Sequence, residues 1–402
     1  MKYIVILGDG MADYPSNDKA GSTPLSKAKK PNIDNLAKVS ELGLAKTIPD
    51  NMPAGSDTAN LSVLVYNPEK YYSGRSPLEA ISMGIDFTPQ DLTLRCNLVT
   101  LSDEKRYADK KMIDYSAGEI TTAESKELIN FLQEFWNTPE LALYNGISYR
   151  HCLVLKNGKL GTRYTPPHDI ADKRIGEYLP TGPNAELLIS LMERSNILLK
   201  NHPINLSRIS MGLNPANSVW FWGEGKKPVL PTFRKKYGVN AAMISAVDLL
   251  KGIGIASEME VINVEGATGN LDSNFAGKAK AAIDALKNGK DFVYIHMEAP
   301  DECGHHGAFD DKVKAIELID KQVVGPIVNA FKKEDVSIMV LPDHPTPVSL
   351  RTHVKDPVPY LIYRSNAPVD SGVKTYTEHT CAASGNYIAE GWTLMEKFIK
   401  NK

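Results

Sequence analysis

Three short stretches of the chain carry side chains suited to binding a metal ion. "YIVILGDGMAD" offers Asp9, "DFVYIHMEAPDECGHHG" offers Asp301 and His305, and "LPDHPTPVSLRTH" offers Asp343, His344 and, nine residues on, His353. Carboxylate oxygens and imidazole nitrogens are the donors of choice for a divalent cation. Taken alone, Asp343, His344 and His353 in a Pro-rich loop read slightly better as solvated turn chemistry. A fourth stretch, "NMPAGSDTANLSVLVYN", sets Ser56 behind Pro53 and Gly55 and ahead of an apolar segment with helical spacing. A serine there sees unpaired N–H groups and the positive end of the helix dipole, which suit a phosphate ester. N-capping is its commoner role, and it becomes a nucleophile only if a metal or a base activates its hydroxyl.

What must position these groups is legible in the runs before them. Tyr3 to Leu7, Phe292 to Met297 and Val336 to Leu341 are short, nearly continuous apolar segments, the pattern of strands covered on both faces. Helical patterns lie between, such as "FAGKAKAAIDALKNG", closed by Gly289, and "DKVKAIELIDKQVVGPIVNAF". Alternating strand and helix predicts an α/β fold with a doubly wound, mostly parallel sheet, in which ligands collect beyond the carboxyl ends of the strands. Three strand ends would then bring Asp9, Asp301, His305, Asp343 and His344 to one edge, which turn chemistry alone does not require.

From about Pro77 to Arg234 the pattern is irregular and proline-bearing. Helices are expected at "TTAESKELINFLQEFW" and "NAELLISLMERSN", and a hairpin around "LVLKNGKLGTRYT". This reads as an α+β domain of residues 77–234 inserted into a core domain of 1–76 and 235–402. "YGVNAAMISAVDLLKGIGIA" then resumes the helix and strand alternation.

At 402 residues the chain can build a deep core. With 46 basic against 48 acidic residues and a formal charge of −2, no basic block argues for nucleic acid or an anionic membrane surface. Cys96, Cys152, Cys303 and Cys381 are far apart and form no C-x-x-C pair, so a zinc ribbon or disulfide scaffold is not expected and a cytoplasmic location is. No apolar run approaches the roughly 18 residues of a membrane span, and the N-terminal run is too short for a signal segment.

Across essentially its whole length the chain resembles the archaeal-type cofactor-independent phosphoglycerate mutases of the alkaline phosphatase superfamily. The resemblance rests on "VILGDGMAD", "MPAGSDTANLSVLVY", "GRSPLEA", "RCNLVTL", "YSAGEI", "APDECGHHG", "IELID", "PDHPTP" and "HVKDPVP". It implies an alkaline-phosphatase-like core with an inserted cap, and a glycolytic isomerase that interconverts 3-phosphoglycerate and 2-phosphoglycerate without 2,3-bisphosphoglycerate. It also implies two divalent ions, one on Asp301, His305 and His353, the other on Asp9, Ser56, Asp343 and His344. Manganese is the family's usual ion, with magnesium, zinc or cobalt as alternatives. Ser56 would take the phosphoryl group as phosphoserine, while the glycerate reorients under a cap that excludes water. Arg95, Asn97, Arg150, His151, His168, Asp169 and Lys226 are the candidate substrate contacts, and His306 is expected to lie outside the ligand set. A small phosphorylated metabolite is the expected partner, and the chain is expected to act as a monomer.

The resemblance departs in "SVWFWGEGKKP", where Trp222, Lys226 and Lys227 stand in a segment in which the mutases carry arginine. An ATP-dependent homoserine kinase, proposed for a similar bacterial branch, is therefore the alternative on the same metal and serine core, with a phosphomonoesterase third. No G-x-x-x-x-G-K-[ST] loop is present for a nucleotide. The non-enzymatic alternative is a metal-stabilised binding module in which Ser56 is dispensable.

Overall fold

The computed structural model describes residues 1–16, 19 and 21–400. The chain divides into two compact units, Met1–Tyr72 with Leu230–Lys402, and Ser73–Val229. Both crossings fall a few residues before the positions expected from sequence.

Thirteen strands are formed among the described residues. The first unit holds β1 (Lys2–Gly8) and β2 (Ser40–Ala45); the second holds β3 (Leu92–Leu101), β4 (Met112–Asp114), β5 (Leu141–Ile147), β6 (Arg150–Leu155) and β7 (Ser218–Lys226). The chain returns to the first unit with β8 (Ala241–Ile244), β9 (Glu260–Val261), β10 (Phe292–Met297), β11 (Val336–Leu341), β12 (Val358–Arg364) and β13 (Tyr387–Ile388).

In the first unit eight strands form one sheet in the order β13-β2-β12-β11-β1-β10-β8-β9. β1 lies between β10 and β11 and is parallel to both, and β8 extends the parallel array beyond β10. Only β12 breaks the direction, pairing antiparallel with β11 and β2. Alternation along β1 explains its unbroken apolar run. Ile4 and Ile6 join Val293, Ile295, Ile338 and Val340 in a core with the helices Phe275–Lys287 and Phe309–Ile319. Residues of the other parity face the opposite layer, where Tyr3 meets Phe398 and Phe292 meets Phe233. Helices on both faces of a mostly parallel sheet are the doubly wound α/β arrangement expected.

Two expected helices show how local chemistry sets boundaries. Asn274 caps Phe275–Lys287 by accepting from Gly277 N at 2.8 Å, and Gly289, at φ +103°, follows its end. The stretch expected as one long helix is instead α-helical over Phe309–Ile319, π-helical over Asp320–Val324 and α-helical again over Gly325–Ala330. Pro326 cannot donate to the ladder, and buried Asp320 turns its carboxylate to Ile33 N (2.7 Å) and Asn32 Nδ2 (2.9 Å).

The second unit is an antiparallel sheet. β6 lies between β3 and β5, β7 pairs along the other edge of β3, and β4 pairs with Thr100 and Leu101 at the end of β3. Helices Thr122–Trp136 and Ala185–Leu199 contribute Leu128, Leu132, Leu188 and Met192 to its core. The hairpin expected around "LVLKNGKLGTRYT" does not form. β3 and β5 already occupy both edges of β6, so the residues after Leu155 turn away at Asn157, which sits at φ +54°.

Candidate metal centre

Because β1, β10 and β11 are parallel, their carboxyl ends share one edge of the sheet. Asp9 follows β1, Asp343 and His344 follow β11, and the helix Ala299–His305 after β10 carries Asp301 and His305 one turn apart. Ser56 opens the helix Ser56–Val63, with Gly55 rather than the serine in the capping position. Its hydroxyl is thus the first side chain of the helix, at the end where N–H groups lack intrahelical partners, and Asp57 Oδ1 accepts from the Thr58 N–H at 2.8 Å.

These groups form two clusters. In the first, His305 Nε2 and His353 Nε2 face each other at 2.9 Å, and Asp301 places Oδ2 3.3 Å from the former and Oδ1 3.4 Å from the latter. His305 is anchored from behind, Nδ1 to the carbonyl of Arg351 at 3.1 Å. In the second, His344 Nε2 lies 3.1 Å from Ser56 Oγ, 3.4 Å from Asp343 Oδ2 and 3.5 Å from Asp9 Oδ1. The clusters adjoin through the His344 and His353 rings, 4.1 Å apart. Asp9, Asp301, Asp343 and His344 are all buried. His306 is exposed and outside both clusters.

The donor chemistry fits cations. Asp9 Oδ1 is buried and has no hydrogen-bond partner in the protein, a costly condition for a carboxylate oxygen. One proton at most can lie between the facing nitrogens of His305 and His353, and the other lone pair has no use unless a cation accepts it. Without a cation, burial and the neighbouring Asp343 and Asp301 push the Asp9 carboxyl up. Burial opposes ionisation of Asp301 as well, but hydrogen bonds from His305 and His353 hold it well below the usual range. Its hydrogen bond to Asp301 raises His305 to about 9, whereas burial lowers His344. Groups of Asp301, His344 and His353 and of Asp9, His296 and Asp343 each bring their ligand atoms within 4.8 Å of one another.

Residues that the sequence alone does not single out hold these side chains in place. Asn60 donates to Asp343 Oδ2 at 2.7 Å and to Ser56 O at 2.9 Å, and accepts from Tyr294 OH at 2.6 Å. Thr346 bonds Asp301 Oδ1 and lies 3.2 Å from His344 Nδ1. His296, inside β10, reaches Asp9 Oδ2 at 2.9 Å. Each left a trace in the sequence. Asn60 is one helical turn after Ser56, Thr346 follows the Asp343-His344 pair, and His296 interrupts an otherwise apolar strand.

The seven candidate substrate contacts lie in the second unit and do not form one set. Strand pairing puts Arg95, Asn97, Arg150 and Trp222 on one face of the sheet and His151 on the other. Trp222 is the hub. The Arg95 guanidinium lies 4.1 Å over its ring, its Nε1 donates to Asn97 Oδ1 at 2.9 Å, and His168 packs edge-on at 5.4 Å. Glu79 accepts from Arg95 Nε and Arg75 Nε, each at 2.9 Å. Burial opposes its charge, but Arg95, Arg75 and Arg150 together hold its carboxyl below the usual value. His151 is buried, accepts from Gly146 N at 3.1 Å, and is pushed down to about 3 by burial. Asp169 is exposed, 3.7 Å from His168 Nε2. Lys226 pairs with Leu92, about 10 Å along the strand from Arg95, and its ammonium is bonded to the carbonyl of Gln90 at 2.9 Å.

Comparison with known proteins places this geometry in context. A family model described as 2,3-bisphosphoglycerate-independent phosphoglycerate mutase matches residues 37–205. A protein of that name from Methanosarcina barkeri is 48% identical over 406 residues, covering 100% of both chains. A probable mutase of the same name from Geobacter sulfurreducens is 47% identical, covering 99% of this chain and 100% of its own. Among solved structures, a Pyrococcus horikoshii protein superposes with a TM-score of 0.84 at 30% identity, covering 99% of this chain and 96% of its own. A cofactor-independent phosphoglycerate mutase from Thermoplasma acidophilum gives 0.69 at 27% identity, with 100% of each chain covered.

Proposed function

From its membership of the 2,3-bisphosphoglycerate-independent phosphoglycerate mutases, to which full-length relatives of 47–48% identity assign this chain, we propose that it interconverts 3-phosphoglycerate and 2-phosphoglycerate through a phosphoserine at Ser56. The observation that carries the reading is the meeting of Ser56 Oγ with His344 Nε2 at 3.1 Å, beside a buried, unpartnered carboxylate oxygen of Asp9.

Asp301, His305 and His353 would hold one divalent ion, and Asp9, Ser56, Asp343 and His344 the other, manganese being the first choice. The ions would supply positive charge to the phosphoryl oxygens and ease ionisation of the serine hydroxyl. Ser56 Oγ forms a bond to phosphorus as the bond from phosphorus to the C3 oxygen of the glycerate breaks, and the departing oxygen takes up a proton equivalent to the one the serine released. In the return step the C2 oxygen bonds to phosphorus as the bond from phosphorus to Ser56 Oγ breaks, and the proton released by the C2 hydroxyl balances the one the serine regains. Free N–H groups at the start of the Ser56 helix favour the negative phosphoryl group throughout. Arg95 and Arg150 carry the charge and planar shape to hold the carboxylate of the glycerate, with Trp222 fixing the first of them.

The test is turnover of purified, manganese-loaded protein on 3-phosphoglycerate alone, followed by phosphorus NMR. Formation of 2-phosphoglycerate without added bisphosphoglycerate is expected. Free phosphate as the only product, or O-phosphohomoserine from homoserine and ATP with the first reaction silent, would overturn it.

A further inference from the structure

β10 carries a histidine where the rest of the strand is apolar and buried, and the side chains around it account for its presence. His296 is wholly buried, and both its ring nitrogens are engaged. Nε2 is 2.9 Å from Asp9 Oδ2, and Nδ1 faces Ser245 Oγ at 3.1 Å and Glu298 Oε1 at 3.2 Å. Glu298 is itself fixed. Ala246 N donates to Oε1 at 2.7 Å, and the buried ammonium of Lys278 bonds Oε2. The same ammonium donates to the backbone carbonyl of His296 at 2.9 Å, so the chain of contacts closes on the strand that bears the imidazole. At its other end stands Asp9, with one oxygen held and the other without a partner.

We infer that His296 is a positioning residue for Asp9: its Nε2–H holds Oδ2 and so presents the free Oδ1 to the space shared with Asp343 and His344. The inference rests on the reading that Asp9 binds a divalent ion. A carboxylate fixed through one oxygen has less orientational freedom to lose when the other meets a cation, so removing the anchor weakens binding without removing a ligand. The rival assignment makes His296 a ligand itself, since Asp9, His296 and Asp343 lie close enough to share an ion. Engagement of both ring nitrogens by other groups argues against it.

Manganese titration of the full-length protein, with free aquo-Mn2+ read by electron paramagnetic resonance, separates these readings. His296→Leu should weaken binding by about 10- to 100-fold. His296→Gln, which returns an N–H donor near the position of Nε2, should recover most of the loss. Glu298→Gln, which leaves the imidazole but loosens its anchor, should fall between them, and it carries the test if His296→Leu fails to fold by circular dichroism. Unchanged affinity in His296→Leu, or in Glu298→Gln where that variant stands in, overturns the inference and leaves the metal reading intact. Equal losses in His296→Leu and His296→Gln overturn it in favour of direct ligation. A wild-type protein that binds no manganese, magnesium, zinc or cobalt removes the metal reading and the inference with it.

Discussion

His305 and His353, 48 residues apart in sequence, meet nitrogen to nitrogen at 2.9 Å with Asp301 beside both. Two imidazoles so placed share at most one proton, and the pair repels if both are charged. A divalent ion would resolve the conflict by using both lone pairs. His353→Ala is therefore expected to lower bound metal by about one equivalent per chain in elemental analysis, and Asp343→Asn to deplete the neighbouring position. Full stoichiometry in both variants would dismiss the two-ion arrangement. Chelation should abolish turnover of the wild type, and added manganese should restore it.

Ser56→Ala removes the only hydroxyl within hydrogen-bond distance of His344 Nε2 among the described residues. Mutase turnover should fall on the order of 10³-fold or more, and acid quenching should trap no phosphoenzyme. Circular dichroism should be unchanged, because Gly55 and not Ser56 caps the helix. Surviving turnover would take the nucleophile's role from this residue.

Trp222 supports Arg95 through its ring face and Asn97 through its indole N–H. The cation–π contact is worth about 0.5–2 kcal/mol, so Trp222→Leu should raise KM for 3-phosphoglycerate by about 2- to 30-fold, with a smaller effect on kcat. Unaltered kinetics would separate this cation cluster from the substrate.

Asp91 gives the second unit an acid-sensitive joint. Burial opposes its charge, but N–H groups of Thr88 and Asn157 and the Lys156 ammonium lower its pKa to about 2 from the ordinary 3.8. The folded state then binds fewer protons than the unfolded state between these values. The contribution is present in full above about pH 4 and fades as pH falls toward 2. Urea unfolding between pH 2.5 and 5 should show a smaller loss of stability on acidification in Asp91→Asn than in the wild type.

Tyr294 tests the support beneath the serine helix. Its hydroxyl is buried and donates to Asn60, which in turn holds Asp343 and Ser56. Tyr294→Phe leaves Asn60 Oδ1 unsatisfied and should cost about 1–3 kcal/mol in denaturant unfolding.

The parts of this architecture readable in advance are those with a local signature. Buried parallel strands announce themselves as apolar runs, and chemistry placed at their carboxyl ends is read along with them, which is how Asp9, Asp301 and Asp343 were singled out. The groups that aim those carboxylates leave only single-residue traces, which do not reveal their partners. Asn60, His296 and Thr346 act on partners hundreds of residues away or across a turn, and only the folded sheet brings them together. The same holds for Glu79 and Trp222, whose roles depend on register in the second unit. The hairpin expected after β6 fails for a related reason: its turn residues are present, but β3 and β5 hold both edges of β6.

The sheet order also sets a timetable for synthesis. β1 leaves the ribosome first, yet its partners in the centre of the sheet begin at Phe292 and Val336. About 290 residues must follow it, or roughly 15–60 s at 5–20 residues per second. The unit Ser73–Val229 is complete in that interval, and it can fold while β1 still lacks both neighbours. Asp343, His344 and His353 emerge later still. The nascent chain thus carries β1 without its sheet neighbours through most of its translation, and the Asp and His side chains at the strand ends come together only after His353 has been made.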